Sequence, residues 1–412
     1  MLAFAALSAC SDDADETCYA RDNLTTKDIC TMLAGVCDPA TGQLPGVSEM
    51  IQVVPDGSAM PSEVDSQPSH NNLDIVWHEN RLFFAFRTGP THFASDEVVM
   101  YLVSTTDQVN WTFETSFFMQ SDLREPGFLS FDGKLFFYFA QLGYLPFAFE
   151  PQGSFVSEYK GGCNWTEPEA IFEPGFIPWR TKTIDGKPHL MGYIGGENIF
   201  EADGEPISVH WLTTEDGYNW DAVVPGKPII HIGGGSETDF VFADDGALIA
   251  VIRNEAGEPY PPYSWGSKLC RAEPGDLGTW NCVHDPKKYD SPLMLKHSSG
   301  VYIVGRRNLT KDGNYDLFYR EQTPSEQTTA YNANYWTKPK RCSLWKVDEQ
   351  TLEVTFVLDL PSNGDTCFAS AIKLNEDQFL LYNYTSPLDD PDLRWVDAQT
   401  ENTLIYRTVL SF

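Results

Sequence analysis

Six times along the chain, two short apolar runs flank a polar turn. They are LDIVWHENRLFFAFR (73–87), REPGFLSFDGKLFFYFAQ (124–141), WRTKTIDGKPHLMGYI (179–194), ETDFVFADDGALIAVIR (237–253), SPLMLKHSSGVYIVGRR (291–307) and FASAIKLNEDQFLLYNY (368–384). Runs of this length, rich in β-branched and aromatic residues around Asp-Gly, Glu-Asn or Ser-Gly, predict β-hairpins. Their starts are 51, 55, 58, 54 and 77 residues apart. Most are followed by a third run and a turn that closes on tryptophan: STTDQVNW (104–111), KGGCNW (160–165), TTEDGYNW (213–220) and EPGDLGTW (273–280). A fourth run follows, and helical periodicity is almost absent. Four strands recurring six times predict an all-β fold, a six-bladed β-propeller with four-stranded antiparallel blades. A string of β-sandwiches is the competing reading, but it does not require one hairpin every 50 to 60 residues. The last repeat ends at NTLIYRTVLSF with three strands, so EMIQVVPDG near residue 50 is expected to complete that blade and close the ring.

The domain plan follows from where the repeat begins. Residues 49–412 form the propeller, and residues 11–48 read as an acidic, cysteine-bearing tether or cap. Residues 1–10, MLAFAALSAC, resemble the lipobox of bacterial lipoproteins, with Cys10 as the lipidated residue; an ordinary short signal peptide is the alternative. Either predicts export, the first with a lipid anchor on the outer leaflet of the cell envelope. Eight cysteines remain, an even number suited to an oxidising compartment. Cys270 with Cys282, and Cys342 with Cys367, flank a hairpin and a blade junction and are expected to pair. Cys18, Cys30, Cys37 and Cys163 leave three connectivities open.

Charge narrows the partners. Lys and Arg total 28 against 59 Asp and Glu, a net charge of −31, which repels nucleic acid and anionic lipid. A monomer that binds carbohydrate is expected. No cofactor is expected; the acidic loop SPLDDPDLRWVD (386–397) has a composition suited to structural calcium but not the spacing of a defined calcium loop.

Propeller geometry brings the start of each inner strand and the end of the next strand to one mouth of the central channel. Those places hold His70, Asp74, Asp122, Arg124, Glu125 and Arg180 in the first three repeats, with Arg87 and His92 closing or following the first hairpin. The later repeats add Glu237, Asp239, Arg253, Glu255, Arg306, Arg307, Tyr382 and Tyr384. Acids, arginines and aromatics in one pocket suit a sugar site: carboxylates protonate the leaving oxygen or attack the anomeric carbon, and aromatics stack on the ring. The acid/base is sought among Asp96, Asp122 and Glu125, with Glu237 as second carboxylate. Structural arginines, tying one blade to the next, are the plain alternative.

The turns TTEDGYNW and STTDQVNW resemble a shortened Asp box of sialidases, and the repeat as a whole resembles the sialidase propeller. That resemblance assigns Asp107, Trp111, Asp216 and Trp220 to folding. It also implies that Glu237 is the glutamate that activates a nucleophilic tyrosine, and that Arg253, 16 residues on, belongs to a triad clamping a substrate carboxylate. Arg306 or Arg307 would be another triad member, and Asp96 the general acid. Two places depart from the family. HNNLD (70–74) lacks the first arginine, for which Arg87 is the substitute in view. GDTCFAS places Phe368 where the nucleophile belongs, leaving Tyr382 as the catalytic candidate and Tyr384 as a binding one. The expected function is therefore a sialidase-like glycoside hydrolase acting on an acidic or uncommon sugar. The alternative is a catalytically inactive propeller that binds glycan or a protein at the envelope. A five-bladed glycosidase with two aspartates and a glutamate is the third reading, which the sixth hairpin opposes.

Overall fold

The computed structural model describes residues 45–55, 59–146, 148–199, 205–258, 264–310 and 313–412. The lipobox, Cys10, and the tether with Cys18, Cys30 and Cys37 lie outside the described residues. The rest forms six antiparallel sheets, each blade built outward from an inner strand. The inner strands are Ser69–His78, Asp122–Phe131, Ile177–Ile184, Gly235–Phe242, Asp290–His297 and Ser370–Asn375. This is the six-bladed propeller that the repeat predicts.

The seam closes as expected. Ile51–Val54 pairs with the last strand, Leu404–Ser411, and Gly46–Val47 pairs with the same strand further along. Val54 is fully buried in a cluster with Leu73, Phe84, Tyr382 and Ile405, so the joint is apolar as well as hydrogen-bonded. Cys270 and Cys282 face each other across the outer two strands of the fourth blade. Cys342 and Cys367 join the fifth blade to the approach of the sixth. Cys163 is exposed and carries no disulfide among the described residues.

The tryptophan-closed turns are built from local hydrogen bonds. Asp107 Oδ1 accepts from the amides of Val109 and Asn110, and Asp216 Oδ1 accepts from those of Tyr218 and Asn219. These bonds favour the ionised acid, led by that from the Asn219 amide, and bring Asp216 down to about 2. Gly217 takes a left-handed φ of 85°, and a Cβ there would collide with the Phe136 ring. Trp111 is buried in the core, and Trp220 packs edge-on against Tyr138.

One element departs from the strand-only reading. The 77-residue interval holds a 13-residue helix, α1 (Pro324–Trp336), inserted between the second and third strands of the fifth blade. Its buried residues are Gln327, Thr328, Tyr331 and Tyr335, so no aliphatic stripe marks it. Its start is nevertheless written in the sequence: Thr323 and Glu326 form a reciprocal capping box with Pro324 at the first turn. A shorter helix, α2 (Trp395–Ala398), follows the sixth hairpin. Among the described residues, no helix is long and apolar enough to cross a membrane.

Because the seam depends on Val54, Val54→Asp should destabilise the fold by at least about 3 kcal/mol, the cost of placing an unpaired carboxylate in an apolar joint. Urea unfolding of the variant against the parent measures this, and an unchanged midpoint would show that the seam does not hold the ring.

Candidate functional site

At the mouth, the inner strands do not run straight. Register shifts interrupt the pairing just inside their starts in five blades, at Asn71/Leu73, Arg124/Gly127, Pro178/Arg180, Gly235/Thr238 and Asp290/Leu293. Three of these bulges carry a non-glycine residue with positive φ: Asn72 at 40°, Glu125 at 52° and Ser291 at 47°. A bulge re-aims a side chain that regular pleating would bury between sheets. All three residues line one cavity of about 170 Å³ at the channel mouth, beside Glu237, Arg253 and Arg306.

Arg253 ties three acids together. Its guanidinium lies 2.5 Å from Glu237 Oε1, 2.8 Å from Glu255 Oε1 and 3.0 Å from Asp290 Oδ1. Glu237 Oε2 also accepts from the Ser291 amide at 2.8 Å, and Glu255 from the Ser236 hydroxyl at 2.8 Å. Burial pushes Asp290 up, but Arg253, Lys288 and Arg306 together hold it below its ordinary value. Burial raises Glu237, against the pull of Arg253. Glu125, which accepts from Asn72 Nδ2 at 3.3 Å, is raised to about 8 by burial and then by the charge of Glu237. At neutral pH Glu125 therefore holds a proton.

A second knot lies across the cavity. Asp122 accepts from Arg87 at 2.8 Å and from Arg124 at 2.5 Å, and Arg124 also donates to the carbonyl of His92. His92 Nδ1 lies 2.6 Å from Asp365 Oδ2. Asp365 Oδ1 takes the Tyr384 hydroxyl at 2.9 Å and the Trp395 indole N–H at 3.0 Å. Burial opposes ionisation of Asp365, yet His92, Arg306 and the Tyr384 hydrogen bond leave it below its ordinary value.

Arg306 sits between the two knots. It donates to the carbonyls of Thr366 and Cys367 and to the hydroxyls of Tyr335 and Tyr384, and it stacks on Trp395. Among the described residues no carboxylate lies within ion-pair distance of it. Lys288 stands over the rings of Tyr315 and Tyr335, with its nearest carboxylate oxygen on Asp290 at 4.0 Å.

Of the residues singled out from the sequence, the cavity brings together Glu237, Asp122, Glu125, His92, Arg124, Arg253, Arg306, Glu255 and Tyr384. Others lie elsewhere. Arg87 is fully buried behind Asp122 and donates also to Asn71 and to the carbonyls of Thr91 and Phe93. Arg180 lies against Trp179 and Phe368 and donates to the Pro292 carbonyl. Asp239 holds Lys182 and accepts from the Met294 amide. Arg307 pairs with Asp359 on the fifth blade, and Asp96 is exposed in its loop. Tyr382 is packed in the core against Phe84, and among the described residues its hydroxyl has no partner. His70 and Asp74 are buried, the latter accepting from Ser370 and from the Phe128 amide. Phe368 lines the cavity. In the acidic loop, Asp392 pairs with Arg341 and Asp397 with Arg394.

Sequence reading missed Lys288, Asp290, Asp365, Trp395 and the helix residues Asn332, Tyr335 and Trp336. Asp290 begins its inner strand as Asp122 does, a place that could have found it. The helix residues had only the capping box to mark them.

No family model matches the chain, and no curated protein matches it. Solved structures do. A Dyadobacter fermentans protein of unknown function superposes with a TM-score of 0.59 at 12% identity, over 89% of this chain and 99% of that one. Trypanosoma rangeli sialidase superposes with a TM-score of 0.56 at 12% identity, over 89% of this chain and 60% of that one. The same enzyme in complex with sialic acid gives 0.55 at 11%, over 88% and 59%. The fold is thus a sialidase-like propeller, and this chain spans about 60% of the length of those sialidases.

The knot around Arg253 yields a stability prediction. Arg253→Met leaves three buried acids without their cation and should cost about 3–5 kcal/mol at pH 8. Without the cation, nothing from Arg253 opposes the burial that already raises Glu237, so its folded-state pKa rises further above the unfolded one. Stability is then retained at low pH and lost as pH rises through the folded values. The deficit against the parent should therefore shrink at pH 5, as urea melts at the two pH values would reveal; a deficit equal at both would mean the acids do not depend on Arg253.

Proposed function

We propose that the protein is an exported glycoside hydrolase that acts on an acidic or uncommon sugar at the mouth of the propeller, with Glu125 as proton donor. The observation that carries this reading is the pair Glu125 and Glu237 in one cavity, the first protonated near neutral pH and the second held by Arg253 and the Ser291 amide. A protonated carboxyl group and a second carboxyl group in one cavity are the pairing that glycoside cleavage uses; burial raises both, but Arg253 opposes the rise of Glu237 whereas the charge of Glu237 adds to that of Glu125. Glu237 then supplies negative charge toward the oxocarbenium-like transition state.

Arg253 is taken up by three acids, so the positive charge open to a substrate's acidic group lies first with Arg306; Lys288, which also lines the cavity, has Asp290 at 4.0 Å. Trp336, Tyr335 and Phe149 on the cavity wall provide apolar faces for a sugar ring. The likeness to sialidases supports the class of substrate only through the fold. Two disulfides suit an oxidising compartment, and the lipobox-like start supports anchoring at the envelope.

A second reading, a propeller that binds glycan or a protein without turnover, is favoured by one observation: Phe368 has no group with which to attack a sugar. The two readings part on Glu125→Gln. For a hydrolase, this change should lower kcat about 10²–10⁴-fold while the protein remains folded. The parent's kcat should also fall as pH rises through about 8, when Glu125 loses its proton. Hydrolysis of 4-methylumbelliferyl glycosides across pH 5–9 tests both. Binding of a glycan with no released sugar by the parent protein would decide for the second reading.

A further inference from the structure

The hydrolase reading leaves the attacking group unassigned, because Phe368 cannot attack and Tyr382 is locked in the core. We propose that His92, oriented by Asp365, is the base that takes a proton from an attacking water, so that water rather than a side chain displaces the sugar's leaving group. The step rests on the hydrolase reading above and goes beyond it.

The geometry of the dyad carries the proposal. Asp365 is fully buried, and its two oxygens are occupied separately. Oδ2 faces His92 Nδ1 at 2.6 Å, and Oδ1 is held by Tyr384 and Trp395. An aspartate so fixed accepts from Nδ1–H and thereby places the lone pair of the neutral ring on Nε2. Among the described residues Nε2 makes no hydrogen bond, and His92 forms part of the cavity wall. The backbone is fixed too: the His92 amide donates to the Gln399 carbonyl at 3.0 Å, and its own carbonyl accepts from Arg124. Tyr384 and Trp395 flank the ring at 6.1 and 6.2 Å between centroids. Ring orientation, tautomer and access are thus all set by neighbours that a merely structural histidine would not need.

The surrounding charges agree. The groups acting on the ring are Asp365, Arg124 and Arg87; burial lowers its pKa, and the two arginines add to this against Asp365. The resting imidazole is therefore neutral at neutral pH, as a base must be. In the step, a water oxygen forms a bond to the anomeric carbon as the bond from that carbon to the leaving oxygen breaks. The water's proton passes to His92 Nε2, and the Glu125 proton passes to the leaving oxygen. Imidazolium and carboxylate then exchange one proton through solvent to restore the start. Direct attack by water inverts the anomeric configuration. His92 is the catalytic residue here, and Asp365 a positioning one.

Two measurements test the step. In protein labelled with 15N-histidine, with His92 assigned by its loss in His92→Gln, the ring should appear as the neutral Nδ1–H tautomer at pH 7. Asp365→Asn should abolish that preference. A dominant Nε2–H tautomer in the parent overturns the proposal without any substrate. The second measurement uses 4-methylumbelliferyl N-acetylneuraminide, glucuronide, galactoside and N-acetylglucosaminide. On whichever is cleaved, His92→Gln should lower kcat about 100-fold or more with KM little changed, and 1H NMR should show the inverted anomer first. Activity within about threefold of the parent, or a retained anomer, overturns the role of His92 while a deficient Glu125→Gln leaves the hydrolase standing. Failure of the parent to cleave any of the four removes the hydrolase reading and this step together.

Discussion

A closed ring of sheets has no free edge to spare, so everything at its centre depends on the seam where the two ends of the propeller meet. Here a four-residue strand, Ile51–Val54, is laid against the last strand, and the joint is sealed by Val54 against Leu73, Phe84 and Ile405. With the seam shut, the first and sixth blades are held in place around the channel. Asp74 of the first blade then meets Ser370 of the sixth at 2.6 Å, and Thr403 bonds both the amide and the carbonyl of His70. The dyad of His92 and Asp365 spans this same junction. Its geometry is inherited from closure.

Closure also creates the electrical problem that the mouth solves. Bringing six strand starts together concentrates charge where water is scarce, and an unpaired ion there is costly. The chain answers with two compact knots, Arg253 among three acids and Asp122 between two arginines, instead of scattered pairs. Each knot gathers several charges at one point, and the same cavity holds Glu125, His92 facing Asp365, and Arg306, which has no carboxylate within ion-pair distance among the described residues. An overall charge of −31 makes Arg306 the more telling, since acids were abundant enough to neutralise it.

Much of this was legible in the sequence. Repeated hairpins specify blade number because each blade must bury two faces, and period-2 runs around Asp-Gly turns admit little else. The final three-strand repeat implied the closing strand. The mouth acids and arginines were legible by position, since strand starts and ends converge in any propeller. What escaped was set by tertiary detail. Glu125 and Asp122 are three residues apart and read alike, but a bulge with positive φ sends Glu125 into the cavity while Asp122 is shared between arginines. Arg87 reads as a mouth residue, yet its pairing with Asp122 draws it behind the wall. Asp365 sits in a segment without strand character, and only its place against His92, 273 residues away, gives it meaning.

Phe368 ties these threads together. A tyrosine at this position would carry a hydroxyl; the Phe368 ring has none and lies edge-on to Trp179, with Arg180 over its face. It lines the cavity as an apolar ring. Without an attacking hydroxyl at that point of the wall, a hydrolase would need another group in the same cavity that can raise the nucleophilicity of water. A histidine whose Nδ1 faces a buried carboxylate, and whose Nε2 makes no hydrogen bond among the described residues, would meet that requirement. The same segment supplies both Phe368 and Asp365, three residues apart, so the stretch that brings an apolar ring to the cavity also holds the carboxylate that faces His92.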